Sequence, residues 1–103
     1  MIRLPKNRPA THPGEMLLEE FLIPLQLTQK ELADAIKVPF QRINEIVAGK
    51  RGITPSTALR LAKFFGTSPD FWLNLQMKND LFSAEKKERT ILRMIKPTKL
   101  QHV

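Results

Sequence analysis

The strongest constraint on the fold is a pair of short helical segments within residues 28–48, joined by the dipeptide Lys37–Val38. Thr28 is a favourable N-cap for the first segment, and Glu31 stands at the capping-box position three residues later. Pro39 suits the first turn of the second segment. Because a connection this short makes a tight turn of the helix-turn-helix kind, the sequence predicts that the two helices cross steeply.

Start and stop signals of the same kind predict three further helices, one before this pair and two after it. The first helix begins at Pro13, after an N-cap at Thr11 or His12, and is ended by Pro24. The fourth helix begins with Thr54 and Pro55 and is ended by Gly66, and the fifth begins with Ser68 and Pro69. The apolar positions that fit the helical period are Met16, Leu17, Leu18, Phe21 and Leu22, then Leu32, Ala33 and Ile36, then Ile43, Ile46 and Val47, then Ala58, Leu59, Leu61, Ala62 and Phe65, and finally Phe71, Trp72, Leu73 and Leu75.

The sequence therefore predicts an all-α fold, a compact five-helix domain over residues 12–82. A basic N-terminal tail, residues 1–11, precedes it, and a short C-terminal extension, residues 83–103, follows. The extension begins as either a sixth helix capped by Ser83 or a short strand over residues 90–95, because a brief apolar run fits both. It ends in a basic tail.

Composition narrows the class of protein. A chain of 103 residues is long enough for one hydrophobic core, and the absence of cysteine excludes disulfides and thiolate metal sites. The sequence shows no signal peptide and no apolar run long enough to cross a membrane, which predicts a cytoplasmic protein with no membrane partner. The net charge of +7 favours a polyanionic partner, with nucleic acid the first candidate.

The second helix of the central pair has the residues for reading DNA. If Ile43 and Ile46 anchor it in the core, its opposite surface can meet base edges in the major groove. Amide, guanidinium and carboxylate side chains bond there to adenine, guanine and cytosine, and an aromatic ring can contact a thymine methyl. The predicted base-reading residues are Phe40, Gln41, Arg42, Asn44 and Glu45, and the predicted phosphate-binding residues are Thr28, Gln29, Lys50 and Arg51.

The chain also resembles a known family. The strings TQKELA, INEI, AGK and LAKFFGTS are similar to helix-turn-helix domains of the xenobiotic-response-element class, which are lambda-repressor-like. The strings HPGEMLLEEFLIPLQLTQ and GKRGITPSTALRLAKFFGTSPDFWLNLQ, with IKP near the end, resemble more narrowly the HigA/VapI-type antitoxins. The resemblance extends roughly over residues 12–97.

This resemblance implies a dimeric repressor that binds a palindromic operator in its own promoter and neutralises a HigB-type toxin, an mRNA endonuclease. By position, Gln29 matches the phosphate-clamping glutamine of the family. The variable base-reading positions of the family are occupied here by Phe40, Gln41, Arg42, Asn44 and Glu45. The chain departs from the family pattern at Pro39 and Phe40, so the resemblance gives no operator sequence.

The fifth helix carries more apolar residues than one buried face needs. Trp72 is most simply a core residue, but the surplus around it predicts a homodimer surface, since operators of this class require twofold symmetry. The predicted dimer residues are Trp72, Leu73, Met77, Leu81 and Phe82.

Other functions fit the sequence less well than DNA binding. Catalysis is not expected, because the chain lacks cysteine and tyrosine and its two histidines, His12 and His102, lie near the chain ends. No metal and no cofactor is predicted, since Glu15, Glu19 and Glu20 read as a solvated face without histidine at ligand spacing. The alternatives left open are a stand-alone helix-turn-helix regulator without a toxin and a protein-interaction module that does not bind DNA. RNA binding is not favoured, because the chain lacks the interleaved aromatic platform of common single-strand binders.

Overall fold

A computed structural model describes residues 11–99 of the chain. The predicted N-terminal tail, apart from Thr11, and the last four residues lie outside this range. Within it the protein has five helices and no strand, so the predicted all-α fold is confirmed. The helices are α1, Pro13–Leu17, which continues as a π-helical turn over Leu18–Leu22, α2, Gln29–Ile36, α3, Phe40–Val47, α4, Pro55–Phe65, and α5, Pro69–Met94.

The predicted caps begin most of these helices. The Thr28 hydroxyl accepts from the Glu31 backbone N–H at 3.0 Å, and the Glu31 carboxylate accepts from the Thr28 N–H at 2.9 Å. His12 caps α1 through Nδ1, which accepts from the Gly14 N–H at 2.9 Å. Pro39 differs from the prediction, because it is the N-cap of α3 and the helix begins one residue later.

The turn from α2 into α3 depends on one backbone conformation. Lys37 ends α2 with φ 64° in the left-handed region, which turns the chain sharply, and Val38 is then buried. Both helices place their apolar faces in one core with α1, α4 and α5. The buried core residues are Met16, Leu17, Leu22, Leu32, Ala33, Ile36, Val38, Ile43, Ile46, Ile53, Ala58, Leu61, Ala62 and Trp72.

Trp72 is the largest side chain of this core and has 0% of its surface exposed. Phe21 and Phe71 each lie with ring centroids 5.0 Å from it, and its indole N–H donates to the Thr67 hydroxyl at 2.9 Å. A fully buried side chain cannot touch another protomer. The inclusion of Trp72 among the dimer residues is therefore wrong.

The C-terminal extension is part of α5, which runs unbroken past Ser83 to Met94. Neither a separate sixth helix nor a strand forms over residues 83–94, because this stretch holds alanine, glutamate, lysine and arginine and no glycine or proline. All of its residues are exposed. The second half of α5 therefore projects beyond the core.

Leu59 is a second departure from the predicted core. It directly follows the buried Ala58 and is therefore turned about 100° around the helix axis, which places 60% of its surface in solvent. Leu61, Ala62 and the half-buried Phe65 share the inward face with Ala58, as predicted.

Candidate DNA-binding surface

Helix α3 has a buried apolar side, which packs in the core, and a polar side that faces outward. Ile43 and Ile46 have no exposed surface, and Val47 packs partly against the same core. On the outer side, Phe40, Gln41 and Asn44 are exposed, whereas Arg42 and Glu45 are half-buried at its flanks. The structure thus brings the predicted base-reading residues onto one helix.

One hydrogen bond joins this outer face to the beginning of α2. The Asn44 amide nitrogen donates to the Gln29 side-chain oxygen at 3.1 Å, across 15 residues of sequence. With its oxygen engaged, Gln29 has its amide nitrogen left to donate to another group. The Thr28 hydroxyl, which accepts in the capping box, likewise retains its proton for donation. Two donors suited to an anion therefore lie at the N-terminal end of α2.

Glu45 is engaged on both carboxylate oxygens. Gln41 donates to one at 3.1 Å, and Arg51 donates to the other from Nε and from Nη2, each at 2.8 Å. These bonds, from Arg51 first and Gln41 second, lower the pKa of the Glu45 carboxyl below its usual value. A predicted base-reading residue is thus paired with a predicted phosphate-binding residue, which the sequence did not indicate.

The loop after α3 presents Lys50. Its backbone N–H donates to the Glu45 carbonyl at 2.8 Å, and Gly49 precedes it with φ 77°, a conformation that glycine adopts at little cost. Lys50 is exposed and forms no salt bridge with any residue of the described range. Its ammonium group is therefore presented beside α3, whereas the Arg51 guanidinium is held by Glu45.

Gln76 of α5, which no sequence pattern indicated, fixes the other end of this loop. Its side-chain oxygen accepts from the Ile53 N–H at 2.7 Å, and its nitrogen donates to Asp80 at 2.9 Å. Gly52 leaves room for this contact, since a Cβ there would lie 2.8 Å from the Gln76 oxygen. No local pattern could reveal it, because 23 residues separate Gln76 from Ile53.

The remaining predicted dimer residues lie along α5. Leu73 is half-buried against the core, and Met77, Leu81 and Phe82 are exposed. Ile91, Leu92, Met94 and Ile95 expose further apolar surface on the projecting half and just beyond it. This face is apolar enough to associate with another chain.

A metal site and a membrane-spanning helix are both absent between residues 11 and 99. No three acidic or histidine side chains in that range are grouped as metal ligands. None of its helices is both long and apolar enough to cross a membrane.

Comparisons with known proteins identify a matching family and several relatives of this chain. A sequence model of the helix-turn-helix family matches residues 18–72, which include α2, α3 and α4. Virulence-associated protein I of Dichelobacter nodosus is 51% identical over 83 residues, which are 81% of this chain and 77% of that protein.

Two solved structures are similar over most of the chain. An addiction module antidote protein of the HigA family from Coxiella burnetii superposes with a TM-score of 0.83 at 43% identity, over 88% of this chain and 100% of that one. The Pseudomonas aeruginosa antitoxin HigA, solved with the higBA promoter, superposes with a TM-score of 0.83 at 36% identity, over 88% and 99% of the two chains.

Proposed function

The chain belongs to the helix-turn-helix family of HigA/VapI-type antitoxins, and from this premise we propose that it is a sequence-specific DNA-binding antitoxin. It represses its own toxin–antitoxin operon from the cytoplasm and neutralises a HigB-type mRNA endonuclease. The observation that carries the proposal is the polar outer face of α3, set on a buried apolar face and flanked by Lys50 and the start of α2. The Pseudomonas relative solved with promoter DNA supports it.

In this proposal, α3 enters the major groove and α2 lies across the phosphate backbone. Gln41 and Arg42 meet base edges, and Gln29, Thr28 and Lys50 hold phosphates. The net charge of +7 contributes attraction to every DNA sequence, which the base contacts then make selective. Arg51 reaches a phosphate only after it leaves Glu45, so its contribution is smaller than that of Lys50.

A palindromic operator requires two copies of α3 related by a twofold axis. The exposed residues Met77, Leu81 and Phe82 of α5 supply the homodimer surface, with Leu73 at its edge. None of these residues belongs to α3, so in this proposal dimerisation leaves both reading helices accessible.

Gel-shift titrations with two single substitutions test base reading. Gln41→Ala removes a base contact, so it should reduce the binding free energy by about 1–3 kcal/mol on the promoter DNA upstream of the gene but by little on a scrambled duplex. Lys50→Ala removes a phosphate contact, so binding should weaken on both duplexes and the slope against log salt should decrease by about one unit per protomer. Equal losses on both duplexes for Gln41→Ala would contradict base reading by α3.

Toxin neutralisation is expected to use folded surface, since no acidic low-complexity segment is present to wrap a partner. Co-expression with a HigB-type toxin tests it: deletion of residues 1–10 and 97–103 should leave growth rescue intact. Loss of rescue on this deletion would instead place the contact in the tails. Failure of the full chain to rescue growth would favour a stand-alone regulator.

A further inference from the structure

A groove on the outer side of α2 and α4 is not used by the proposed DNA-binding or dimer surfaces. It encloses about 460 Å³ and is lined by Ala35, Ile36, Leu59, Arg60, Lys63 and Phe64. Leu59 and Phe64 are 60% and 44% exposed and both line the groove, so they form shared apolar surface there. We refer to this site as the α2–α4 groove.

The groove is cationic as well as apolar. Arg60 is held in place because its Nη1 donates to the carbonyls of Ile36 and Lys37 at 2.7 and 3.1 Å. Lys63 lies one turn further along α4 and is exposed. An occupant that matches these features combines aliphatic side chains with carboxylates.

The same chain displays such a segment after α1. Glu19 and Glu20 are exposed, and Ile23 and Leu25 follow with 59% and 60% of their surfaces in solvent. We call residues 19–25 the acidic turn. It offers two carboxylates and two aliphatic side chains, and it is the charge complement of the groove.

The backbone holds the acidic turn in one shape. Leu18–Leu22 is π-helical, a rare form that recurs at functional sites, and the Ile23 N–H donates to the Leu18 carbonyl at 3.0 Å. The Leu25 N–H donates to the Phe21 carbonyl at 3.1 Å, and Gln26 adopts φ 54°. Because the turn is already ordered, placing it in a groove costs little conformational entropy.

We propose that the α2–α4 groove binds the acidic turn of a second copy of this chain. The two patches differ, so the contact is heterologous and can extend beyond a dimer formed through α5. Binding of several protomers to neighbouring DNA sites raises their local concentration, so a weak contact of this kind makes binding cooperative. The contact does not depend on the proposed DNA binding and can be measured without DNA.

Sedimentation equilibrium of the full chain at low salt tests the contact with charge reversals. As the protein concentration rises from about 10 to 500 µM, the average molar mass of the wild type should increase above that of the smallest species, as expected for a weak association. Lys63→Glu and Glu20→Lys should each raise the dissociation constant about tenfold or more, because like charges then face each other. An equimolar mixture of the two variants should regain association. In the mixture, the groove of the Lys63→Glu variant meets the turn of the Glu20→Lys variant, and the two substituted side chains carry opposite charges.

Two further variants separate the contact from other effects. Leu59→Ser should weaken association without a change of charge, and Lys99→Glu, which reverses a charge outside both patches, should associate like the wild type. Urea midpoints equal to that of the wild type show that each variant is folded. A wild-type mass that stays constant over this range overturns the proposal and leaves the groove to another acidic ligand. Association that survives both reversals, or a mixture that does not regain it, also overturns it.

Discussion

Gly14→Ala is expected to separate α1 from α3. Gly14 is buried at their crossing, and a Cβ there would lie 1.8 Å from the Ile46 carbonyl oxygen, 2.7 Å from its carbonyl carbon and 3.0 Å from the Val47 Cα. These are backbone atoms and cannot rotate away. Normal contact distances are restored only if the helices move apart by about 1.5 Å.

Two opposing effects decide the magnitude. Alanine favours a helix over glycine by about 0.5–1 kcal/mol, which alone would stabilise the variant. Overpacking costs about 1–3 kcal/mol and occasionally more. Separation of the helices also loosens Met16 and Leu17 of α1 against the buried side chains of α3. With a required movement this large, we place the steric cost at the upper end of its range, about 3 kcal/mol. Less the gain in helix propensity, the net loss should be about 2–2.5 kcal/mol, a large share of a typical stability of about 5–15 kcal/mol.

Urea titration at one fixed protein concentration measures this loss. With a slope of about 1–3 kcal/mol per molar urea, the Gly14→Ala midpoint should fall by about 1 M or more. Gly49→Ala is the matched control, because a Cβ there meets nothing within 4 Å and only the φ of +77° opposes it. That variant should lose about 1 kcal/mol. A Gly14→Ala midpoint at or above that of the wild type would refute the close approach of α1 to α3.

Three further predictions concern the cap, the dimer and the reading surface. Burial lowers the pKa of His12 against the raising effects of nearby acids, so the unfolded chain binds its proton more readily and stability should fall as the pH drops below about 6.5. His12→Asn, which keeps a capping oxygen, should flatten this dependence in urea titrations at several pH values, and an unchanged slope would contradict it. Leu81→Asp should give a monomer by light scattering, whereas a persisting dimer would place the interface elsewhere. Gln29→Ala and Asn44→Ala should be coupled in operator affinity by about 0.5 kcal/mol or more, and additive losses would mean that Asn44 acts independently of Gln29.

Local signals in the sequence determined where most of the helices begin. Caps, first-turn prolines and C-terminal glycines act within a few residues, so Thr28 with Glu31, Pro55 and Gly66 could each be recognised without knowledge of the rest of the chain. The helical period likewise predicted which side of α3 is buried, and with it the side that faces outward. A resemblance over most of the chain then indicated the family.

Only the tertiary structure decided which side chains meet across the fold. Trp72 is enclosed by Phe21 and Phe71, although its sequence neighbourhood suggested an exposed surplus. The bonds that join Asn44 to Gln29 and Gln76 to Ile53 link residues far apart in sequence, and no spacing rule predicts them. Periodicity ranks residues by the face of their own helix, whereas burial and pairing depend on the helices packed against that face, and those positions exist only once the chain has folded.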